Sequence, residues 1–199
     1  MDDGFLLVSI AGTPKNLSDF IPDNGLASLA GSLVESGNRA IILDFNSPSL
    51  FSCLIPRHAG KTLERFARKV FLEHNNPSML DIFVLRRLQK ELERQSAVAR
   101  AAIEEEIATV IKKEHIGAVG FKLWAGEGFT WTMDIGASLK KRFPAVLFFG
   151  GGPQVDIFEH LLFHNLPFLE GLCYGEGEET MQELAKCVRG ASNRDAVAN

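Results

Sequence analysis

The sequence predicts an open α/β domain, a five-stranded parallel sheet in order 2-1-3-4-5 with helices on both faces and one long helical insertion between strands 2 and 3. Three observations carry that prediction. Five apolar runs, Phe5 to Ile10, Ala40 to Leu43, Ala118 to Leu123, Ala145 to Phe149 and Leu169 to Tyr174, are each too short for a helix and mostly unbroken by polar residues. That is how strands covered on both faces read. Stretches of helical periodicity alternate with them, so that strand, crossover and strand recur four times. The 199 residues are 46% hydrophobic and 23% charged, enough apolar material for one substantial core without a disulfide or structural metal. The arrangement is of the flavodoxin-like, Rossmann-like kind.

The first strand leads into Ala11-Gly12-Thr13-Pro14, and Pro22-Asp23-Asn24-Gly25 opens a helix over Leu26 to Glu35. The second strand ends in Asp44-Phe45-Asn46. The insertion then runs over residues 46–117, with Pro48 and Pro56, a helical stretch from Thr62 to His74, and a break at Asn75-Asn76-Pro77. From Val84 to Lys113, the residues Leu85, Leu88, Leu92, Val98, Ile103, Ile107 and Val110 keep a three-to-four spacing among charged residues. That predicts a solvated amphipathic helix about 43 Å long, with one apolar stripe on the sheet or a partner; the alternative is a docking arm for another domain. Helices over Thr130 to Arg142, Val155 to Phe163 and Glu178 to Arg189 follow the third, fourth and fifth strands. The domain is expected over residues 1–190, with 191–199 as a polar linker or tail.

A net charge of −4 and a pI near 5.8 leave no basic excess to neutralise a phosphate backbone, so nucleic acid is not an expected partner. The start, Met1-Asp2-Asp3, is acidic where a secretory signal is basic, and no apolar run reaches the ~18 residues of a membrane span. Cys53, Cys173 and Cys187 are odd in number and far apart, which argues against a disulfide framework and against a four-cysteine cluster. The expectation is a cytoplasmic protein with no membrane partner.

Ligands of open parallel sheets bind at the carboxyl ends of the strands, and the unusual residues lie there. Gly150, Gly151 and Gly152 leave the fourth strand before Pro153; they permit either close approach of a ligand to the main chain or a tight turn into a helix. After the fifth strand, Tyr174-Gly175-Glu176-Gly177-Glu178-Glu179 combines acidic residues suited to a helix start with glycines that suit close approach. Trp124 and Trp131 flank the third loop, as a flat platform for a planar ligand or as core filling.

Taken in order, several segments resemble the N-terminal cobalamin-binding domain of class B, cobalamin-dependent, radical SAM enzymes. They are Pro22 to Ala30, Arg39 to Asn46, Val119-Gly120-Phe121 to Trp131, Phe148 to Val155, and Gly175-Glu176-Gly177-Glu178-Glu179-Thr180. The resemblance covers most of the chain outside the insertion and the tail. It implies cobalamin lying along the strand ends. Ala11, Gly12, Thr13 and Asn24, then Leu123, Trp124, Ala125, Gly126 and Glu127, then Gly150, Gly151 and Gly152, and finally Tyr174, Gly175, Glu176 and Gly177 would line its crevice. It also implies a radical SAM barrel, C-terminal to this domain, that holds a 4Fe-4S cluster and S-adenosylmethionine and acts on a small-molecule substrate, with methyl transfer a candidate reaction. The C-x3-C-x2-C loop of such a barrel is not among the three cysteines.

Base-off cobalamin domains of mutases carry a D-x-H-x-x-G loop whose histidine ligates cobalt, and residues 11–19 contain no histidine. His58, His74, His115, His160 and His164 suit surface or structural roles. The domain is therefore expected to hold base-off cobalamin without a protein imidazole and to carry no catalytic residue of its own. A scaffold of the same fold without cobalamin is the alternative, and a flavin- or nucleotide-binding module follows from fold analogy alone.

Overall fold

The structure is a computed structural model that describes residues 4–13, 23–48, 50 and 54–188. Five strands, β1 (Gly4–Ser9), β2 (Ala40–Asp44), β3 (Ile116–Lys122), β4 (Leu147–Gly151) and β5 (Gly171–Cys173), form one parallel sheet in the order β2-β1-β3-β4-β5. The expected order is the observed one. Helices α1 (Asn24–Glu35), α2 (Ala59–Ala67), α3 (Met79–Lys113), α4 (Glu127–Arg142), α5 (Pro153–Phe158) and α6 (Glu178–Val188) connect the strands or follow them. A π-helical turn, Arg68–Leu72, extends α2, and a 3-10 turn, Glu159–His164, follows α5.

The chain divides into two compact units, Met1–Ser47 with Ile103–Asn199, and Pro48–Ala102. The first holds the sheet. Alternation along each strand sorts side chains onto two faces. Phe5, Leu7, Ala118, Phe149 and Cys173 share one face with Leu26 and Leu33 of α1 and Met181, Leu184 and Ala185 of α6. On the other face, Phe121 stacks on Phe148 with centroids 6.1 Å apart, and Phe168 meets both rings edge-on. Gly136 of α4 admits the Phe168 ring, since a Cβ there would fall inside it. Residues 103–113 of α3 lie along α4, where Glu104 accepts from Ser138 at 2.6 Å and Glu105 holds Arg142 through two hydrogen bonds.

The second unit contains α2, the π-helical turn and the first two-thirds of α3. Its long helix begins at Met79, five residues before the Val84 start that periodicity predicts. The signal was a capping box: the Ser78 hydroxyl accepts from the Asp81 N–H at 3.2 Å, and the Asp81 carboxylate accepts from the Ser78 N–H at 2.8 Å. Met79, Leu80 and Phe83 are exposed and so fall outside the buried stripe that sets the period.

Candidate functional site

Two glycines hollow the sheet where β3 and β4 approach their carboxyl ends. Gly120 and Gly151 occupy positions on the face that carries Leu7 and Phe149, and the register sets Gly120 beside Phe149 and Lys122 beside Gly151. Without their side chains the sheet floor recedes, and the first turns of α1 and α6 form the walls. The result is a cavity of 570 Å³ whose floor is Leu7, Gly120, Phe149, Gly151 and Cys173 and whose rim includes Asn24, Ser28, Lys122, Asp156, Glu176 and Glu178. Small-molecule sites run from about 300 to 1,000 Å³.

The three glycines of the fourth loop have three different reasons to be glycine. Gly152 adopts φ +95°, which disfavours a side chain outright. At Gly150 a Cβ would come within 2.9 Å of Leu169 Cδ1 and 3.0 Å of Leu123 Cδ1, so that residue is glycine for packing. Gly151 has neither constraint: its φ is not positive, and among the described residues a Cβ would meet only Cys173, at ordinary contact distances of 3.6 and 3.7 Å. The turn and the open floor therefore coexist in one run.

Asp23 organises one wall. Its Oδ1 accepts from the N–H groups of Gly25 and Leu26 at 3.0 and 3.3 Å, capping α1, and its Oδ2 pairs with Lys122 Nζ at 2.6 Å. Lys122 Nζ also stands 4.6 Å from the centroid of the Trp124 ring. On the other wall, Glu178 Oε1 accepts from Ser28 Oγ at 2.6 Å, and Gln182 donates to Ser32 Oγ at 2.7 Å, which latches α6 to α1. Asp156 of α5 accepts the Gly175 N–H at 3.0 Å and ties down the loop after β5, where Gly175 and Gly177 take φ of +64° and +77°. Among the described residues Glu178 Oε2, a buried atom, has no hydrogen-bond partner. Burial pushes the Cys173 thiol up to about 11, so this floor residue is a neutral, apolar surface at ordinary pH.

Of the residues singled out by sequence, Asn24, Gly150, Gly151, Gly152, Gly175, Glu176 and Gly177 line the cavity together. A second group clusters apart from its lining. Glu127 Oε2 accepts the Thr13 N–H at 2.9 Å, Gly12 stands against Glu127, and the Ala11 N–H donates to Asn46 Oδ1 at 3.2 Å. Trp124 donates its indole N–H to the buried Ser9 hydroxyl at 2.9 Å, beside the Leu123, Ala125 and Gly126 backbone. This group braces the ends of β1 and β3. Trp131 is 3% exposed and belongs to the core, which settles its role as filling. Tyr174 lines an adjoining groove of 290 Å³ along β5 with Phe163, Thr180 and Cys187, which shares Phe149 and Cys173 with the cavity. Residues 14–19 of the first loop and Cys53 lie outside the described residues.

Sequence reasoning missed Gly120, Lys122 and Asp23. A glycine inside a strand is the available signal for the first, and an Asp before a helix start for the third. Among the described residues no group of three His, Cys, Asp or Glu side chains could hold a metal ion, and no histidine lines the cavity.

No family model matches the chain. Over 90 residues it is 31% identical to the cobalamin-dependent radical SAM methyltransferase TokK of Streptomyces tokunonensis. That stretch covers 45% of this chain and 13% of the length of that protein, so the similarity reaches only a small part of the larger enzyme.

Proposed function

We propose that this chain is a cobalamin-binding domain that holds base-off cobalamin for a radical SAM barrel lying C-terminal to it. The observation that carries the reading is Gly151: among the described residues its glycine serves neither the turn nor the packing, and it opens the cavity floor at the strand ends. The similarity to a cobalamin-dependent radical SAM methyltransferase supports the same reading.

The residues present fit the group in two further respects. Glu178 Oε2, buried and without a partner, suits a hydroxyl or amide donor such as the nucleotide tail and the corrin amides offer. Lys122, fixed by Asp23, puts a cation on the rim for a phosphodiester. Gly150, Gly151 and Gly152 would receive the tail along β4, Asn24 would hold it from α1, and Gly175 to Gly177 would close over it from the far side. Ala11 to Thr13, Leu123 to Glu127 and Tyr174 would shape the surround.

Cobalamin supplies a cobalt centre that carries alkyl groups, and the protein supplies its position and the exclusion of water. The domain itself contributes no catalytic residue in this reading; S-adenosylmethionine, the 4Fe-4S cluster and the small-molecule substrate belong to the partner domain.

Gel filtration of the chain with hydroxocobalamin tests the proposal. Co-elution of the pink chromophore at one equivalent, lost in Gly151→Val, is the expected result. A chain that elutes colourless is instead a scaffold of the same fold.

A further inference from the structure

We propose that the helical tip where the second unit turns back on itself docks on an anionic lipid surface. Phe71 and Leu72, at the end of the π-helical turn, are 70% and 75% exposed; Met79, Leu80 and Phe83, in the first turns of α3, are 84%, 65% and 64% exposed. Single exposed apolar residues are ordinary on a protein surface. With Ile82, 39% exposed, six large ones fall within residues 71–83, and the Lys69–Asp81 ion pair draws the two segments together into a cluster of the kind that marks a contact site.

The flanks of the tip are basic. Residues 54–102 carry ten Lys and Arg against five Asp and Glu, whereas the rest of the chain carries eleven against twenty. Lys61, Arg65 and Arg68 before the tip and Arg86, Arg87 and Lys90 after it are all exposed. Two of the acids nearby are occupied. Asp81 is gripped by Lys69 and by Ser78, which hold its carboxyl well below the usual range, and Glu64 lies 3.8 Å from Arg68. An acidic protein thus presents one basic, apolar-tipped element.

The tip is also built to hold its shape. The Ser78–Asp81 capping box fixes the start of α3, the Lys69–Asp81 ion pair closes the turn, and the Glu73 N–H donates to Arg68 O at 3.0 Å. With the backbone already ordered, docking costs side-chain freedom but little backbone freedom.

Charge decides among the partners. A second copy meeting this patch through a two-fold axis would bring two basic flanks together. An anionic bilayer presents the opposite charge, and its soft interface accepts side chains that project from a turn without needing a matching pocket. Among the described residues no helix is long and apolar enough to cross a membrane; resting on one requires only an apolar face with cationic flanks. A lipid surface as partner departs from the sequence expectation of no membrane partner, which rested on the acidic start of the chain and the lack of an apolar run long enough to span.

Flotation of the full chain with lipid vesicles provides the test. The chain should float with vesicles of phosphatidylglycerol and phosphatidylcholine in about equal parts, stay behind with phosphatidylcholine alone, and be released at about 0.5 M salt. The pair Phe71→Ser and Phe83→Ser should lower the bound fraction at least about tenfold, and the pair Arg86→Gln and Arg87→Gln should also weaken it. Both pairs are exposed, so the circular dichroism spectrum and melting should not change. Absence of flotation with anionic vesicles at low salt overturns the proposal, as does flotation that survives both pairs. Self-association in sedimentation velocity that depends on Phe71 and Phe83, without vesicle binding, overturns it in favour of a protein contact.

Discussion

The Ser28 hydroxyl donates to Glu178 Oε1 at 2.6 Å, and the other oxygen of the same carboxylate, Oε2, is buried with no partner among the described residues. One carboxylate therefore joins α1 to α6 and offers a free acceptor on the rim of the cavity. An unsatisfied buried acceptor costs free energy that an incoming donor recovers.

Glu178→Gln tests that acceptor. The amide keeps the size and can still receive Ser28, but it turns an N–H2 group toward a ligand donor. Cobalamin affinity, measured by absorbance titration, should fall about tenfold. Stability in chemical denaturation should fall by no more than about 1 kcal/mol, the share owed to the helix N-terminus.

Gly151→Val and Gly150→Val separate the ligand from the packing. Valine at 151 enters the cavity and should abolish binding with little change in melting, because its Cβ meets only ordinary contacts. Valine at 150 must displace Leu169, Leu123 and Leu172, and should destabilise the fold by about 1–3 kcal/mol. Equal loss of stability in both variants would assign the whole glycine run to the turn.

Gly136→Ala probes the opposite face. A methyl group there collides with the Phe168 ring, which is itself wedged against Phe121 and Phe148. Denaturation should show a loss of about 3 kcal/mol.

The sheet was legible because both its faces are covered, which turns each strand into an unbroken apolar run such as Phe5 to Ile10. Boundaries were less so. The strand predicted over Leu169 to Tyr174 shortens to Gly171–Cys173, since Leu169 packs on the chain before the sheet, where it meets the Gly150 position. Within the site, the glycine-rich loops announced themselves, while Gly120 is a single glycine in a strand whose meaning appears only when the register sets it beside Phe149 and two residues from the Lys122–Gly151 pair, on the same face. Lys122 looks like an ordinary polar strand end until Asp23 and Trp124, distant in sequence, are placed around it.

Cys173 links the cavity floor to pH. Its thiol is raised from 9.0 to about 11 by burial, so the folded chain keeps a proton that the unfolded chain releases first. The stability this contributes is fully present below pH 9 and is lost as pH rises toward 11. Unfolding midpoints should therefore decline across that window and decline less in Cys173→Ala. A thiol reagent at pH 8 should leave Cys173 unmodified until the chain is denatured.

Electron paramagnetic resonance of Co(II) cobalamin, recorded with and without an excess of the chain, tests the central claim most directly. Free cofactor at neutral pH shows nitrogen splitting from its own benzimidazole. If the tail enters the cavity between α1 and α6, the base leaves the metal, and no histidine lines the cavity to take its place. The account predicts that the nitrogen splitting disappears with the wild-type chain and persists with Gly151→Val. A spectrum that keeps its splitting in the presence of saturating wild-type chain would contradict it.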